Sequence, residues 1–460
     1  MLRLVDRSSR REFLRVGSLA LGGLSLSSLL AAKSQAAAAL RPVTDKSVIF
    51  LFMHGGPPQT ETFDPKMSAP DGVRSSTGEI ATSLPGITYG STLTNLARLA
   101  HKTTIVRSFQ PGDGNHDIKP IVCRETAGAN LGSLYARIAG SNHPMTGMPQ
   151  NVVLFPRAVD PKTLPGVMNF GRFDSVGAIG GAYAPFVPGG EGSFQRDLQL
   201  GLDRARFDDR RALLAGLDTL RRSADRTGDW QNLDHAQQQA FDTILGGVAG
   251  AFDLSQEDSR TLRRYDTAPL VHPDAIDKKW NNHQNYADHG QTLGKLLLLA
   301  RRLCERGAGF VTVTTSFVWD FHADVNNASV AEGMRYVGAP FDHAVSALIE
   351  DLEQRGLGDR ILLVCCGEMG RSPKLNAAGG RDHWGNLGPL LLYGGGLKKG
   401  QVIGHSNSDA SAPAGENVSV ANLVATVLHT LIDIGELRVM RGLSVDLQRI
   451  AAHEPIRGLL

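Results

Sequence analysis

Ser47-Val48-Ile49-Phe50-Leu51-Phe52-Met53, running straight into His54-Gly55-Gly56-Pro57-Pro58, decides the fold class. An apolar run with no polar alternation, cut off by glycine and proline, reads as a strand buried on both faces. Such strands belong to parallel sheets covered by helices. Further apolar runs lie at Phe310–Ser316, Ile361–Cys365 and Leu390–Tyr393, with shorter ones at Thr103–Val106 and Val152–Phe155. Helical spacing separates them at Leu93–Ala100, Tyr286–Arg306, Ala339–Arg355 and Val418–Ile434. Gly307 and Gly356 stop two of these helices. The alternation predicts an α/β fold: a doubly wound, mostly parallel sheet flanked by helices. Residues 195–285 are rich in Gln, Asp, Arg and Leu and poor in strand signals, so they read as a helical insert or cap.

The 460 residues are 42% hydrophobic and 20% charged, which excludes a disordered or fibrous chain. The 52 glycines follow no collagen period. Four cysteines cannot form a disulfide scaffold. A net charge of +2 gives no electrostatic footprint for nucleic acid, and 6% aromatic residues argue against a carbohydrate-stacking or single-strand nucleic-acid surface.

Ser9-Arg10-Arg11-Glu12-Phe13-Leu14 is a twin-arginine core. An apolar run, Val16–Leu30, follows, and Ser34-Gln35-Ala36 offers small residues for cleavage. This order predicts a Tat signal peptide over 1–36, leaving 37–460 as the exported domain, periplasmic or secreted. The apolar run is about fifteen residues, short of the roughly 20 a spanning helix needs, so membrane attachment is expected only through an uncleaved signal. The segment carries six Lys/Arg and two Asp/Glu, a net of +4, so the remainder is +2 − 4 = −2.

Polar residues gather where strands end, the place where doubly wound sheets bind ligands. The first strand stops at His54. Phe310–Ser316 leads into Asp320 and His322, Ile361–Cys365 leads into Glu368 and Arg371, and His383 follows in a glycine-flanked loop. Thr103–Val106 leads into Arg107 and then His116. Alternation along an extended backbone lets Asp320 and His322 face the same way. Carboxylates with imidazoles suit a divalent metal, with Zn, Mn and Ca all admissible. Each of these residues also has an ordinary reading. A loop histidine is often solvated, Asp320 could cap a helix, and Glu368 could pair with Arg371. Only their joint placement points to metal. Cys365 reads as buried structure and Cys366 as a possible lining residue.

The stretch His54-Gly-Gly-Pro-Pro-Gln-Thr-Glu-Thr-Phe-Asp-Pro-Lys66 resembles the opening signature of the bacterial secreted family called domain of unknown function fifteen-oh-one. Asp320-Phe-His322, Gly367-Glu-Met-Gly-Arg-Ser-Pro373 and Gly380-Arg-Asp-His-Trp384 resemble its later signatures in order. The resemblance runs from about residue 43 to the C-terminus. It implies an alkaline-phosphatase-like or sulfatase-like fold with one or two divalent metals at the strand ends. It also implies cleavage of phosphate or sulfate esters, with a small anionic ester or a sulfated or phosphorylated glycan as substrate. The ligands it implies are Asp320, His322, Glu368, His383 and His54. His116, as base or nucleophile, and Arg371 and Arg107, as anion clamps, are the catalytic expectations. The sequence departs from that superfamily in three places. Met369 stands where a histidine is expected, and His116 where a hydroxyl or thiol nucleophile is. His54 replaces an aspartate, for which Glu61 or Asp64 could stand in. A non-catalytic binding or assembly protein on the same scaffold is the alternative.

Overall fold

Seven strands form the central sheet: β1 (Ser47–Phe52), β2 (Thr103–Val106), β3 (Asn151–Leu154), β4 (Phe310–Thr314), β5 (Ile361–Cys366), β6 (Leu390–Gly394) and β7 (Gln401–Ile403). Their order across the sheet is β7-β2-β6-β5-β1-β4-β3. The computed structural model describes residues 42–189, 248–439 and 445–460, with Arg206 between them. The expected signal at 1–36 and residues 195–247 of the expected insert, Arg206 apart, lie outside the described residues. The rest of that insert, 248–285, holds only short helical turns such as Ser259–Tyr265.

β1 sits in the interior of the sheet, parallel to β4 and to β5. Val48–Phe52 are fully buried, as a run without polar alternation requires. Alternate residues enter two cores. Ile49 and Leu51 pack with the helices α2 (His283–Glu305) and α3 (Val330–Gln354). Val48, Phe50 and Phe52 pack on the other face with α1 (Leu131–Ala139) and α4 (Val420–Leu431). Each such side chain contributes roughly 1.5–3 kcal/mol on burial, so the central strand anchors both cores.

The sheet is mostly parallel, as expected, with one exception that helix–strand alternation does not predict. β6 runs antiparallel to both neighbours, β5 and β2. It arrives through the ribbon Gly370–Arg371/His383–Trp384 rather than through a crossover helix, and a ribbon of that kind lets a strand return in the opposite direction. β7, which pairs parallel with β2, had too weak a pattern to be expected. α3 begins at Val330, upstream of the expected start and through Pro340, where Ser329 caps it. Among the described residues, no helix is long and apolar enough to cross a membrane.

Candidate metal centre

Four of the expected residues meet beyond the ends of the strands. Donor atoms of His116, Asp320, His322 and His383 all lie within 4.8 Å of one another. Asp320 and His322 come from the segment after β4. There Trp319 and Phe321 are fully buried, Trp319 edge-on to Phe341 of α3 at 5.5 Å. Burying those two alternate residues turns Asp320 and His322 to the opposite side. His383 sits in the two-stranded ribbon paired with Arg371. His116 is carried by the loop after β2. Lys119, itself buried, clips that loop through Asp113 at 2.8 Å, Asp117 and the carbonyl of Asn115 at 3.3 Å.

Glycine makes the close approach possible. Gly55 has φ +113, and a Cβ there would lie 2.7 Å from the Asp320 nitrogen. Its own N–H donates to Glu368 Oε1 at 2.9 Å. A Cβ at Gly380 would meet the His322 carbonyl oxygen at 2.1 Å.

The centre of the cluster is a single oxygen. Nε2 of His322, His116 and His383 stand 3.0, 3.4 and 3.6 Å from Asp320 Oδ1. Arg371 also reaches that oxygen and donates from Nη1 to His322 Nε2 at 3.1 Å. Guanidinium has only donors, so His322 Nε2 presents a lone pair there. It therefore cannot donate to Asp320. His383 Nε2 is buried without a hydrogen-bond partner. Converging lone pairs and an orphaned buried nitrogen are what a divalent cation would resolve, so the residues present fit a metal.

Around this core, supports fix each donor. Asn327 donates to Asp320 Oδ2 at 2.8 Å, and Asn282 to Asn327 Oδ1 at 2.8 Å. His116 Nδ1 contacts Glu368 Oε1 at 2.8 Å, which leaves Nε2 for the cluster. Burial alone would raise the Asp320 carboxyl. The Arg371 guanidinium and His116 outweigh it and hold the carboxyl far below its usual range. Burial alone would likewise lower His116, but Asp320 and Glu368 outweigh it and draw the imidazole toward its charged form. Burial would raise Glu368, and His116 and His54 reverse that. A metal competes with that proton on His116, so its binding would be coupled to pH.

Other expected residues serve differently. His54 is fully buried outside the cluster, boxed by Phe52, Phe170, Phe173 and Phe317 at 4.9–5.9 Å, and burial pushes its pKa down to about 4. Glu368 stands behind His116 and is not among the four converging residues. His116, expected as a base or nucleophile, stands among the candidate ligands. Arg371 is completely buried and holds the carbonyls of Gly55, Gly56 and Arg381 as well as Asp320, so it braces the site from behind instead of clamping a substrate. Arg107 points away, to the carbonyls of Phe63 and Thr88 at 2.8 Å and to Asp64. Glu61 and Asp64 do not replace the missing aspartate. Glu61 binds Ser75, Ser76, Thr77 and Arg381, and Asp64 binds Ser406. Cys366 is fully buried and is not among the described residues that line the pocket at the site.

The site opens into a pocket of roughly 410 Å³. Two of its walls were not foreseen. Phe170 stacks on Phe317 at 4.5 Å, and Asn169, Asn282, Asn285, Asn326 and Asn327 form a carboxamide wall. Consecutive left-handed residues Ser316 (φ 56) and Phe317 (φ 61) aim the Phe317 ring inward, a local strain that single-sequence patterns do not signal.

No curated protein matches this sequence. Similar solved structures include the sulfatase PsFucS1 from Pseudoalteromonas sp., 11% identical with a TM-score of 0.36, covering 87% of this chain and 70% of that one. The alkaline phosphatase from the Antarctic bacterium TAB5 is 11% identical with a TM-score of 0.30, covering 84% of this chain and 97% of that one. The phosphonate monoester hydrolase of Agrobacterium radiobacter is 11% identical with a TM-score of 0.29, covering 84% and 74%. The likeness transfers no residue roles. Residues 45–455 match the family described as Protein of unknown function (DUF1501), and the chain belongs to that family.

Proposed function

We propose that this protein is an exported, metal-dependent hydrolase of phosphate or sulfate esters. The substrate would be a small anionic ester or the ester of a sulfated or phosphorylated glycan. The observation that carries the reading is the convergence of three imidazole Nε2 atoms on Asp320 Oδ1, with His322 Nε2 already an acceptor from Arg371. His116, Asp320, His322 and His383 would hold the ion, with Zn and Mn favoured over Ca by three nitrogen donors. A bound divalent ion would act as a Lewis acid on the ester's phosphoryl or sulfuryl oxygen. Glu368 holds the His116 ring in the orientation that presents Nε2, and Asn327 holds Asp320. Phe170 and Phe317, stacked at 4.5 Å, form an apolar wall on one side of the pocket.

No serine, threonine or cysteine side chain lines the pocket among the described residues. That favours direct attack by water over a covalent enzyme intermediate. It also favours, more than any other feature, the second reading: a protein that binds a metal or an anion without turnover.

Elemental mass spectrometry of the full chain, beside a His322→Ala/His383→Ala variant, tests the site. One ion per chain, lost in the variant, is expected. No ion after loading with Zn, Mn and Ca would sink the metal reading. Chelator-sensitive release of 4-nitrophenol from its phosphate or sulfate ester then separates hydrolase from binder. Export is tested by Arg10→Lys/Arg11→Lys, which should strand the protein in the cytoplasm.

A further inference from the structure

We infer that the pocket seats the alcohol half of the ester as an uncharged, hydroxylated ring, lying on Phe170 with its hydroxyls on Asn282 and Asn326. The inference rests on the esterase reading above and adds the class of leaving group.

Three features carry it. The first is charge. Among the described residues that line the pocket there is no lysine, arginine or glutamate, and the ionisable groups are Asp320 and three histidines. Arg371, the nearest guanidinium, is fully buried behind them with its donors already taken. A second anionic group on the substrate would find no counter-charge beyond the metal cluster and would lose hydration without return.

The second is the platform. Phe170 lies nearly parallel to Phe317, at 20°, yet remains 38% exposed. One face is fixed against Phe317, which the left-handed backbone at 316–317 holds in place, while Asn285 ties down the Ser316 carbonyl at 2.8 Å. A rigid aromatic surface beside a reaction centre suits the apolar face of a ring.

The third is the opposite wall. Asn282 Nδ2 is used on Asn327, and Asn326 Oδ1 accepts from Asn281. That leaves Asn282 Oδ1 and Asn326 Nδ2 without a protein hydrogen bond among the described residues. One free acceptor and one free donor match what a hydroxyl both gives and takes. An unadorned aryl ring would leave both unused, and an anionic group would face the Asn282 oxygen.

Calorimetric binding of four non-hydrolysable phosphonates to the metal-loaded full chain tests this. The probes are methylphosphonate, phenylphosphonate, 4-carboxyphenylphosphonate and a C-linked glucosyl methylphosphonate, whose sugar is joined to phosphorus through carbon alone. Glucosyl methylphosphonate should bind at least about tenfold tighter than methylphosphonate, and 4-carboxyphenylphosphonate should bind more weakly than phenylphosphonate. Phe170→Ala should erase most of the ring's advantage, and Asn326→Ala, at an exposed loop position, should remove the excess of glucosyl over phenyl. For both variants the readout is each ring probe's affinity relative to methylphosphonate measured on the same variant. Methylphosphonate binding with no gain from any ring overturns the inference and leaves the esterase reading intact. Equal or tighter binding of the carboxylated probe also overturns it, and phenyl exceeding glucosyl assigns the pocket to aryl esters instead. No binding of methylphosphonate itself overturns both.

Discussion

The turn after β1 and the loop after β2 both leave the sheet at the same edge, and they use their polar residues in opposite ways. In the turn, His54, Gln59, Thr60, Glu61, Thr62 and Asp64 are all buried. Gln59 clamps the backbone of Arg371 from both sides, donating to its carbonyl at 2.7 Å and accepting from its N–H at 3.0 Å. Glu61 gathers Ser75, Ser76, Thr77 and Arg381. In the loop, Asp113 and Asp117 are more than half exposed, and a single lysine ties them together. Yet it is the loop that delivers a donor, His116, to the cluster. The stretch richest in motif residues therefore builds the frame. The donor comes from a strand-end loop, held there by its own lysine and by Glu368.

If the turn is frame, damaging it should cost stability before it costs chemistry. Glu61→Ala would leave the fully buried Arg381 with backbone carbonyls but no carboxylate among the described residues, and would unpair the Ser76 N–H. Removing one partner of a buried ion pair costs roughly 3–5 kcal/mol, a large share of the roughly 5–15 kcal/mol of a typical domain. Denaturant unfolding of the metal-free variant should show that loss. A change below about 1 kcal/mol would mean that the turn is not the frame.

His54 sharpens the same contrast through pH. Its folded pKa is about 4, against 6.5 when unfolded, because burial disfavours the imidazolium. Between those values the unfolded chain binds a proton that the folded chain refuses, so stability falls as pH drops from 6.5 and the loss is complete below about 4. The shift corresponds to about 3 kcal/mol. His54→Phe, set among four phenylalanines, should flatten that part of the stability–pH curve. A curve of unchanged slope would assign the acid sensitivity to other groups.

The fold was legible because its signals are local. Apolar runs such as Val48–Met53 can only be satisfied by burial on both faces, and the strand ends then converge whatever the loops do. Asp320 and His322 were legible for the same reason, through alternation against Trp319 and Phe321. Roles were less legible, because they depend on what a side chain meets across the fold. Arg371 and Arg107 carry the right charge for an anion clamp. Only tertiary contacts reveal that one is enclosed by Gly55, Gly56 and Asp320, and the other turned to Phe63 and Thr88. The reversal of β6 depends on a two-residue ribbon, too short to leave a periodic pattern. The asparagine wall is assembled from positions more than a hundred residues apart, so no window along the chain contains it.

Lys119 is the smallest lever and the most telling. Its side chain is 8% exposed, and its three oxygen partners all lie within the loop that carries His116. Lys119→Met keeps the stem's apolar bulk and releases Asp113 and Asp117 to solvent, where they stay hydrated. Global stability should therefore change by no more than about 1 kcal/mol, as for a partly exposed ion pair. His116 would lose its positioning, and such supporting contacts are typically worth about 10–100-fold in metal affinity. Competition against a chelator of known affinity, with thermal unfolding of the metal-free protein as the control, reads both effects. Weaker metal binding at nearly unchanged Tm would establish that the loop's order serves the donor. A matching loss of Tm would make Lys119 another part of the frame, and unchanged affinity would show that Glu368 alone suffices to hold His116 in place.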